Sequence, residues 1–499
     1  VSDLLPLLVA LPLLAAVVPL FVGTRSRRLA RAYTVAVVLA QVALVAVVGA
    51  LVVREGSLDY VVGAIPAAFG IGLLVDRLSV AFVALVAVAG LAALLADPTP
   101  EERDGAFYSL WLLLVAGLTG VVVTADVFNL YVFLEISGLA AYALVASERG
   151  SAAALAALKY LLVGTVGATL YLLGVGYLFV ATGTLAMADL APALASVGYG
   201  SPLVVAAFVL LAVGLGVKLA LFPLHAWKPD AYSAAPVPVS VALAALGSTV
   251  AGYALVRLTF DVFTVDFLVA VPVVRDLLLA VGVASVVAGG VLALREPNVR
   301  RLLAYSSILQ FGLVALGVAL ATPLAVAGAL VHLVGHAVTK AGMFTAAGLF
   351  ETRYGARTVA DYAGLASRAP LASAATTTLA VGLVGLPPTV GFAAKWYVGL
   401  GAVESGSWAV AAVVLASTLL TLAYLGRVVE RLYLGSPDAA HADGVATDGG
   451  RADVGNRAAA SSGTFALAVL VGAAVLVVAL GLGSTALADW FAPVVEGWL

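Results

Sequence analysis

Residues 211–232 read LAVGLGVKLALFPLHAWKPDAY. The run is apolar enough for a membrane helix, yet Lys218 sits inside it and Pro223 follows five residues later. A proline inside a helix removes a backbone hydrogen bond and kinks or breaks the rod. Residues 379–399, LAVGLVGLPPTVGFAAKWYVG, repeat the theme. There Pro387 and Pro388, flanked by Gly385 and Gly391, interrupt the run, and Lys395 comes seven residues after Pro388. A kink alone is ordinary packing, since membrane helices tolerate proline. A kink paired with an intramembrane lysine, twice, points to inverted repeats with an ion path near the bilayer midplane.

The rest of the chain suits that reading. Of 499 residues, 63% are hydrophobic and 10% charged, with a mean hydropathy of +1.15. Soluble proteins carry about 25% charged residues. The class expected is all-α and polytopic. There is no cysteine, which removes disulfides, cysteine metal sites and iron–sulfur clusters. A net charge of −2 gives no footing for nucleic acid. The first apolar run, Leu4 to Val22, lacks a basic flank and a small-residue cleavage site, and is expected to stay as a first helix.

A hydrocarbon core about 30 Å thick needs about 20 apolar residues per crossing. That window predicts 14 spans: 3–23, 32–53, 77–96, 106–125, 127–147, 155–182, 203–226, 236–258, 276–294, 300–320, 323–350, 371–398, 407–433 and 463–482. Spans 7 and 12 are the broken ones. Spans 4–8 and 9–13 would form two inverted five-helix repeats. The expected divisions are 1–96 for the first three spans, 97–260 and 261–433 for the repeats, 434–462 for a loop, and 463–499 for span 14 and its tail. Residues 435–462, rich in Gly, Ala and Asp, read as a mobile cytoplasmic loop. The tail is expected at the outer interface through Trp490 and Trp498.

Loop charges set the orientation. With Arg25, Arg27, Arg28 and Arg31 on the cytoplasmic side, 17 of the 25 Lys and Arg fall there, four fall outside (Arg54, Arg77, Arg257, Arg275), and four are intramembrane lysines. Both termini then face outward, in a cell (plasma) membrane. The intramembrane four are Lys159, Lys218, Lys340 and Lys395; the fifth lysine of the chain falls among the cytoplasmic helix ends.

Glu135 lies in DVFNLYVFLEISGLAAYALV, residues 126–145. Each charge at mid-membrane costs about 2.5–3.5 kcal/mol on an insertion scale, so five of them imply a use. Lys218 is the expected partner of Glu135. A Lys–Glu pair whose separation changes is a proton switch; a fixed pair merely pins two helices. In ALVHLVGHAVTKAGMF, residues 329–344, His332, His336 and Lys340 stand at i, i+4 and i+8 and share one helix face. Histidine changes charge near neutral pH, which suits a relay ending on Lys340. Two such histidines also fit zinc, but no Cys, Asp or Glu lies near them in sequence, and no metal or cofactor is expected. Lys395 is the expected end of the line. Lys159 carries less weight because it can snorkel to the surface. His225, next to Pro223, is either a gate for cytoplasmic access or an interfacial structural residue. Arg300 and Arg301 read as positive-inside anchors, and Asp126 as a helix cap.

Five segments carry a resemblance: residues 126–145, 216–246, 295–312, 332–348 and 385–395. In this order they resemble the antiporter-like family shared by Mrp-type sodium/proton antiporter complexes and the membrane arm of respiratory complex I. The likeness runs over about residues 65–430. It places the family's proton-path residues on Glu135, Lys218, His332, His336, Lys340 and Lys395. Residues 67–83 and 128–142 look most like the D-type subunit of Mrp antiporters. One departure is that many D-type members have a lysine in span 8, where this chain has Ser248 and Thr249. The central link is therefore expected to run through water and hydroxyls, with Thr249 among them. The resemblance implies a proton-translocating subunit of a multi-subunit Na+/H+ antiporter, with partner membrane subunits. A proton-pumping subunit of a complex I-like dehydrogenase or membrane-bound hydrogenase is the alternative. A non-transporting assembly subunit is a third.

Overall fold

The computed structural model describes residues 2–61, 71–435 and 458–499, with no side-chain description for 458–462. Of the loop expected over 434–462, residues 436–457 lie outside the described residues, while 458–462 already belong to the helix Ala458–Leu482. Elsewhere the chain is nearly all helix.

Thirteen helical rods among the described residues are long and apolar enough to cross a membrane. They match the predicted spans one by one, apart from span 12. That span is two helices, Pro370–Val384 and Val390–Glu404, of 15 residues each. Neither half has the length to cross alone. Polar caps start several of the rods. Asp76, Asp104, Asp126 and Asn298 each accept from a backbone N–H three residues on, at 2.7–3.1 Å. Such a contact satisfies one of the donors left open at a helix N-terminus.

The structure departs from the sequence reading in length and in small elements. Span 8 runs on to Phe263 through two π-helical stretches at Leu243–Gly247 and Leu258–Phe263, and after a turn at Thr264, φ +68°, a short helix continues to Ala270. Such wide turns often accompany function. A two-stranded antiparallel hairpin pairs Leu58–Val61 with Gly72–Val75. The tail is a helix, Ser484–Trp498.

Both breaks follow one plan. The first half of span 7, Pro202–Leu219, stops where Ala220 turns left-handed at φ +59°; the chain then loops to Trp227–Ala234. The first half of span 12 stops where Gly385 takes φ +86°. In each case the last carbonyls of the first half are left inside the bundle without their helical partners.

The rods from Gly105, Val237, Val299 and Pro323 are buried almost all round, as expected of helices apolar on every face. They form the centre against which both broken spans pack. Residues 2–4 touch the hairpin, and the tail helix packs at the start of span 3, where the Trp490 indole donates to the Arg77 carbonyl at 2.9 Å.

Candidate functional site

Glu135 and Lys218 meet. Lys218 Nζ stands 3.2 Å from Glu135 Oε1 and donates to the Tyr142 hydroxyl at 3.0 Å. The fit depends on small residues. A Cβ on Gly138 would lie 2.8 Å from Lys218 Nζ, and one on Gly164 would collide with the Tyr142 hydroxyl. A void of about 10 Å³ beside the pair, lined by Tyr131, Tyr171 and Gly214 among others, has room for about one water.

His332, His336 and Lys340 are all buried in Pro323–Tyr354. The two imidazoles are 6.3 Å apart between centroids, and the Phe311 ring packs on His336 at 4.7 Å. His332 Nε2 and both nitrogens of His336 have no protein partner. Buried polar atoms left in this way are where water enters a path. Lys340 Nζ donates to the Leu303 carbonyl at 2.7 Å and to the Ser306 hydroxyl. Lys395 Nζ donates to the Val384 carbonyl at 2.9 Å and reaches Thr418 at 3.4 Å. Neither amine faces a carboxylate among the described residues, and no three His, Asp or Glu side chains there are grouped to hold a metal.

The lower-weight residues separate. Lys159 is half exposed and pairs with Asp230 at 2.8 Å, and Asp230 also binds Arg301. His225 lies in the span 7 break, stacked on Phe222 at 5.3 Å, with Nδ1 unpartnered. Thr249 is fully buried and its hydroxyl has no partner. Arg300 holds Glu351 at 2.6 Å at the mouth of a polar cavity of about 530 Å³, together with Arg103, Glu148 and Arg357.

Two buried cations escaped the sequence reading. Lys228, assigned there to the cytoplasmic helix ends, is 0% exposed. The span 7 break turns its helix inward, and its Nζ donates to the Leu219 carbonyl at 2.9 Å and to Ser248 Oγ at 2.7 Å. Arg257, assigned to the outer end of span 8, is buried because the helix continues past it. Its guanidinium spans Asp76 at 2.5 Å and Asp261 at 3.0 Å, and donates to the Tyr253 hydroxyl at 3.0 Å. The signal for it was in the sequence: Thr249, Tyr253, Arg257 and Asp261 recur every four residues, a single polar helix face. This face leads to a second cavity, of about 730 Å³, lined by Asp76, Arg257, Asp261 and Trp498.

A many-helix membrane bundle with buried lysines, a Glu–Lys pair and two half-helix breaks defines an ion-transport subunit as a class. The chain belongs to the NADH:quinone oxidoreductase/Mrp antiporter transmembrane family, whose model matches residues 124–421. It is 44% identical to the N-type subunit of the NADH-quinone oxidoreductase of Desulforudis audaxviator (strain MP104C) over 438 residues, which cover 85% of this chain and 86% of the relative. It is 30% identical to the D-type subunit of the Na(+)/H(+) antiporter of Bacillus subtilis (strain 168), with 87% of each covered. Among solved structures it is similar to a chain of the Mrp complex from Dietzia sp. DQ12-45-1b, with a TM-score of 0.87, 28% identity, and coverage of 100% and 97%.

Proposed function

We propose that this chain is a proton-translocating membrane subunit of a multi-subunit monovalent cation/proton antiporter, exchanging protons for Na+ across the cell membrane. The observation that carries the reading is the Glu135–Lys218 pair, a partly buried ion pair beside a water-sized void and within a family of ion-translocating subunits. Protons pass along Glu135, Lys218, the His332, His336 and Lys340 set, and Lys395. Lys159, His225 and Thr249 have supporting roles near its entry and centre. Residues 97–260 and 261–433 act as the two inverted repeats, each with one broken span. Both termini face outward, which agrees with residues 2–4 and the tail helix lying near the same hairpin end. Partner membrane subunits complete the complex.

A second reading has its own support. The relative at 44% identity is a subunit of an NADH-quinone oxidoreductase. In that case the same residues move protons, driven by electron transfer in partner subunits.

The deciding measurement is sodium-induced collapse of ΔpH in inverted vesicles holding the whole native complex, with Glu135→Gln alongside. Collapse in wild type and none in the assembled variant is the expected result. A gradient indifferent to sodium in wild type sinks the antiporter reading and leaves redox-driven pumping. An assembled Glu135→Gln complex that exchanges normally removes Glu135 from the path.

A further inference from the structure

We propose that Lys228 is the central proton carrier of this chain, a labile amine that joins the Glu135–Lys218 half of the path to the His336–Lys340 half. The proposal rests on the proton-translocating reading above.

Four observations carry it. First, Lys228 is fully enclosed, and no carboxylate pairs with it among the described residues. Its ammonium is held by neutral groups, the Leu219 carbonyl, the Ser248 hydroxyl and the faces of Phe311, Tyr232 and Trp227, with the Phe311 centroid 4.8 Å from Nζ. A permanent structural cation at this depth would be expected to bring a counter-charge.

Second, Lys228 lies between the two halves. Ser248 Oγ, which accepts from Lys228, donates in turn to the carbonyl of Lys218 at 3.0 Å. On the other side, the Phe311 ring that faces Lys228 also packs on His336.

Third, polar atoms without a protein partner lie on the elements that flank it. Thr249 Oγ1 follows Ser248 directly in the chain, and both His336 nitrogens lie beyond Phe311. A water bonded to these groups completes a link that hydroxyls alone leave open.

Fourth, Lys228 stands to its helix break as Lys395 stands to the other. Each lysine comes from the second half of a broken span and donates to the last carbonyl of the first half, Leu219 in one and Val384 in the other. The negative end of a half-helix favours an ammonium there, and the amine can rest in that seat in either protonation state.

The step is a simple proton transfer. An Nζ–H bond breaks, the proton passes to a water on the Phe311–His336 side, where a new O–H bond forms, and the electron pair stays on nitrogen. The neutral amine then takes the next proton from the Lys218 side. The competing account is that Lys228 only caps the Leu219 carbonyl and never releases a proton.

Lys228→Arg separates the two accounts, because arginine keeps the charge and the donors but does not give up its proton. The assay is ΔpH-coupled transport by the intact complex in inverted vesicles, with Glu135→Gln as the reference. The expected result is an assembled Lys228→Arg complex transporting at about a hundredth of the wild-type rate, the size of a lost positioned proton carrier. Lys228→Ala/Ser248→Lys, which returns an amine to the same enclosure from span 8, is expected to recover at least about tenfold of that loss. If Lys228→Arg transports like wild type while Glu135→Gln is dead, Lys228 is only a cap and the proposal falls while the functional reading stands. If both variants transport like wild type, the path through these residues falls, and Lys228 with it. Should Lys228→Arg fail to assemble, an assembled but inactive Lys228→Ala/Ser248→Lys complex overturns the proposal, and an active one supports it.

Discussion

Lys218 and Lys395, one from each broken span, sit in opposite electrostatic settings. Around span 7, Lys218 faces a carboxylate, and Glu135, Tyr142 and the ammonium form one closed group. Around span 12, Lys395 faces a carbonyl and a threonine, and Lys340 of the adjoining span 11 faces a carbonyl and a serine. A carboxylate fixes a positive charge in place, whereas neutral acceptors only solvate it. The Glu135–Lys218 site is thus built to hold charge until the pair opens. The second half is built to receive and release a proton without breaking an ion pair. A path needs both: a latch that stores a proton and a stretch that lets it through.

This contrast predicts different costs for neutralising each half. Glu135→Gln strands the Lys218 ammonium inside the bundle, and breaking such a pair from one side costs about 3–5 kcal/mol. The assembled complex should fall in yield and melt earlier. Glu135→Gln/Lys218→Met should recover assembly and still fail to transport. A double variant no better assembled than the single would mean that the pair is not closed in the membrane. Lys340→Met and Lys395→Met strand no charge. Each leaves a carbonyl and a hydroxyl unmet, at about 1–2 kcal/mol. Assembly should stay near wild type while transport is lost, read by native gel and ΔpH assay on the same vesicles. Loss of assembly in either would place a hidden counter-charge in the second half.

The sequence carried the architecture well because the bilayer imposes a single length on every crossing. A 20-residue apolar window therefore finds the rods, and prolines inside the runs at Pro223 and Pro387 find the breaks. Pairing of Glu135 with Lys218 was legible for a similar reason: one carboxylate in the apolar runs needed one cation. What stayed hidden depends on where the chain goes after a break. Hydropathy reads WKPDAY as a helix end, and only the inward turn after Ala220 puts Lys228 under the Leu219 carbonyl. Arg257 was misplaced because a hydropathy window closes span 8 at residue 258, and only the four-residue spacing of Tyr253, Arg257 and Asp261 carries the helix on through its π-helical stretch. The polar partners of Lys340 and Lys395 come from carbonyls and hydroxyls of other spans, which periodicity on one helix cannot show.

Glycines offer the finest test of the contrast, because one makes room for a lysine in each half. A Cβ on Gly385 would lie 2.9 Å from Lys395 Cδ, and the residue sits at φ +86°. Alanine there meets both crowding and a left-handed backbone, which costs about 1–2 kcal/mol. Gly385→Ala should therefore lower thermal stability as well as transport. Gly138 is an ordinary helical residue whose added Cβ would touch only the mobile end of Lys218, at 2.8 Å from Nζ, and the Tyr142 hydroxyl at 3.1 Å. That end can swing aside, so Gly138→Ala should leave the melting temperature close to wild type. The swing moves the ammonium off Glu135, however, and a pair already loosened is a poorer latch. The expected outcome is a several-fold slower exchange with unchanged assembly. If Gly138→Ala is as unstable as Gly385→Ala, the Lys218 end is rigidly packed and the first half is a pin between helices, not a latch.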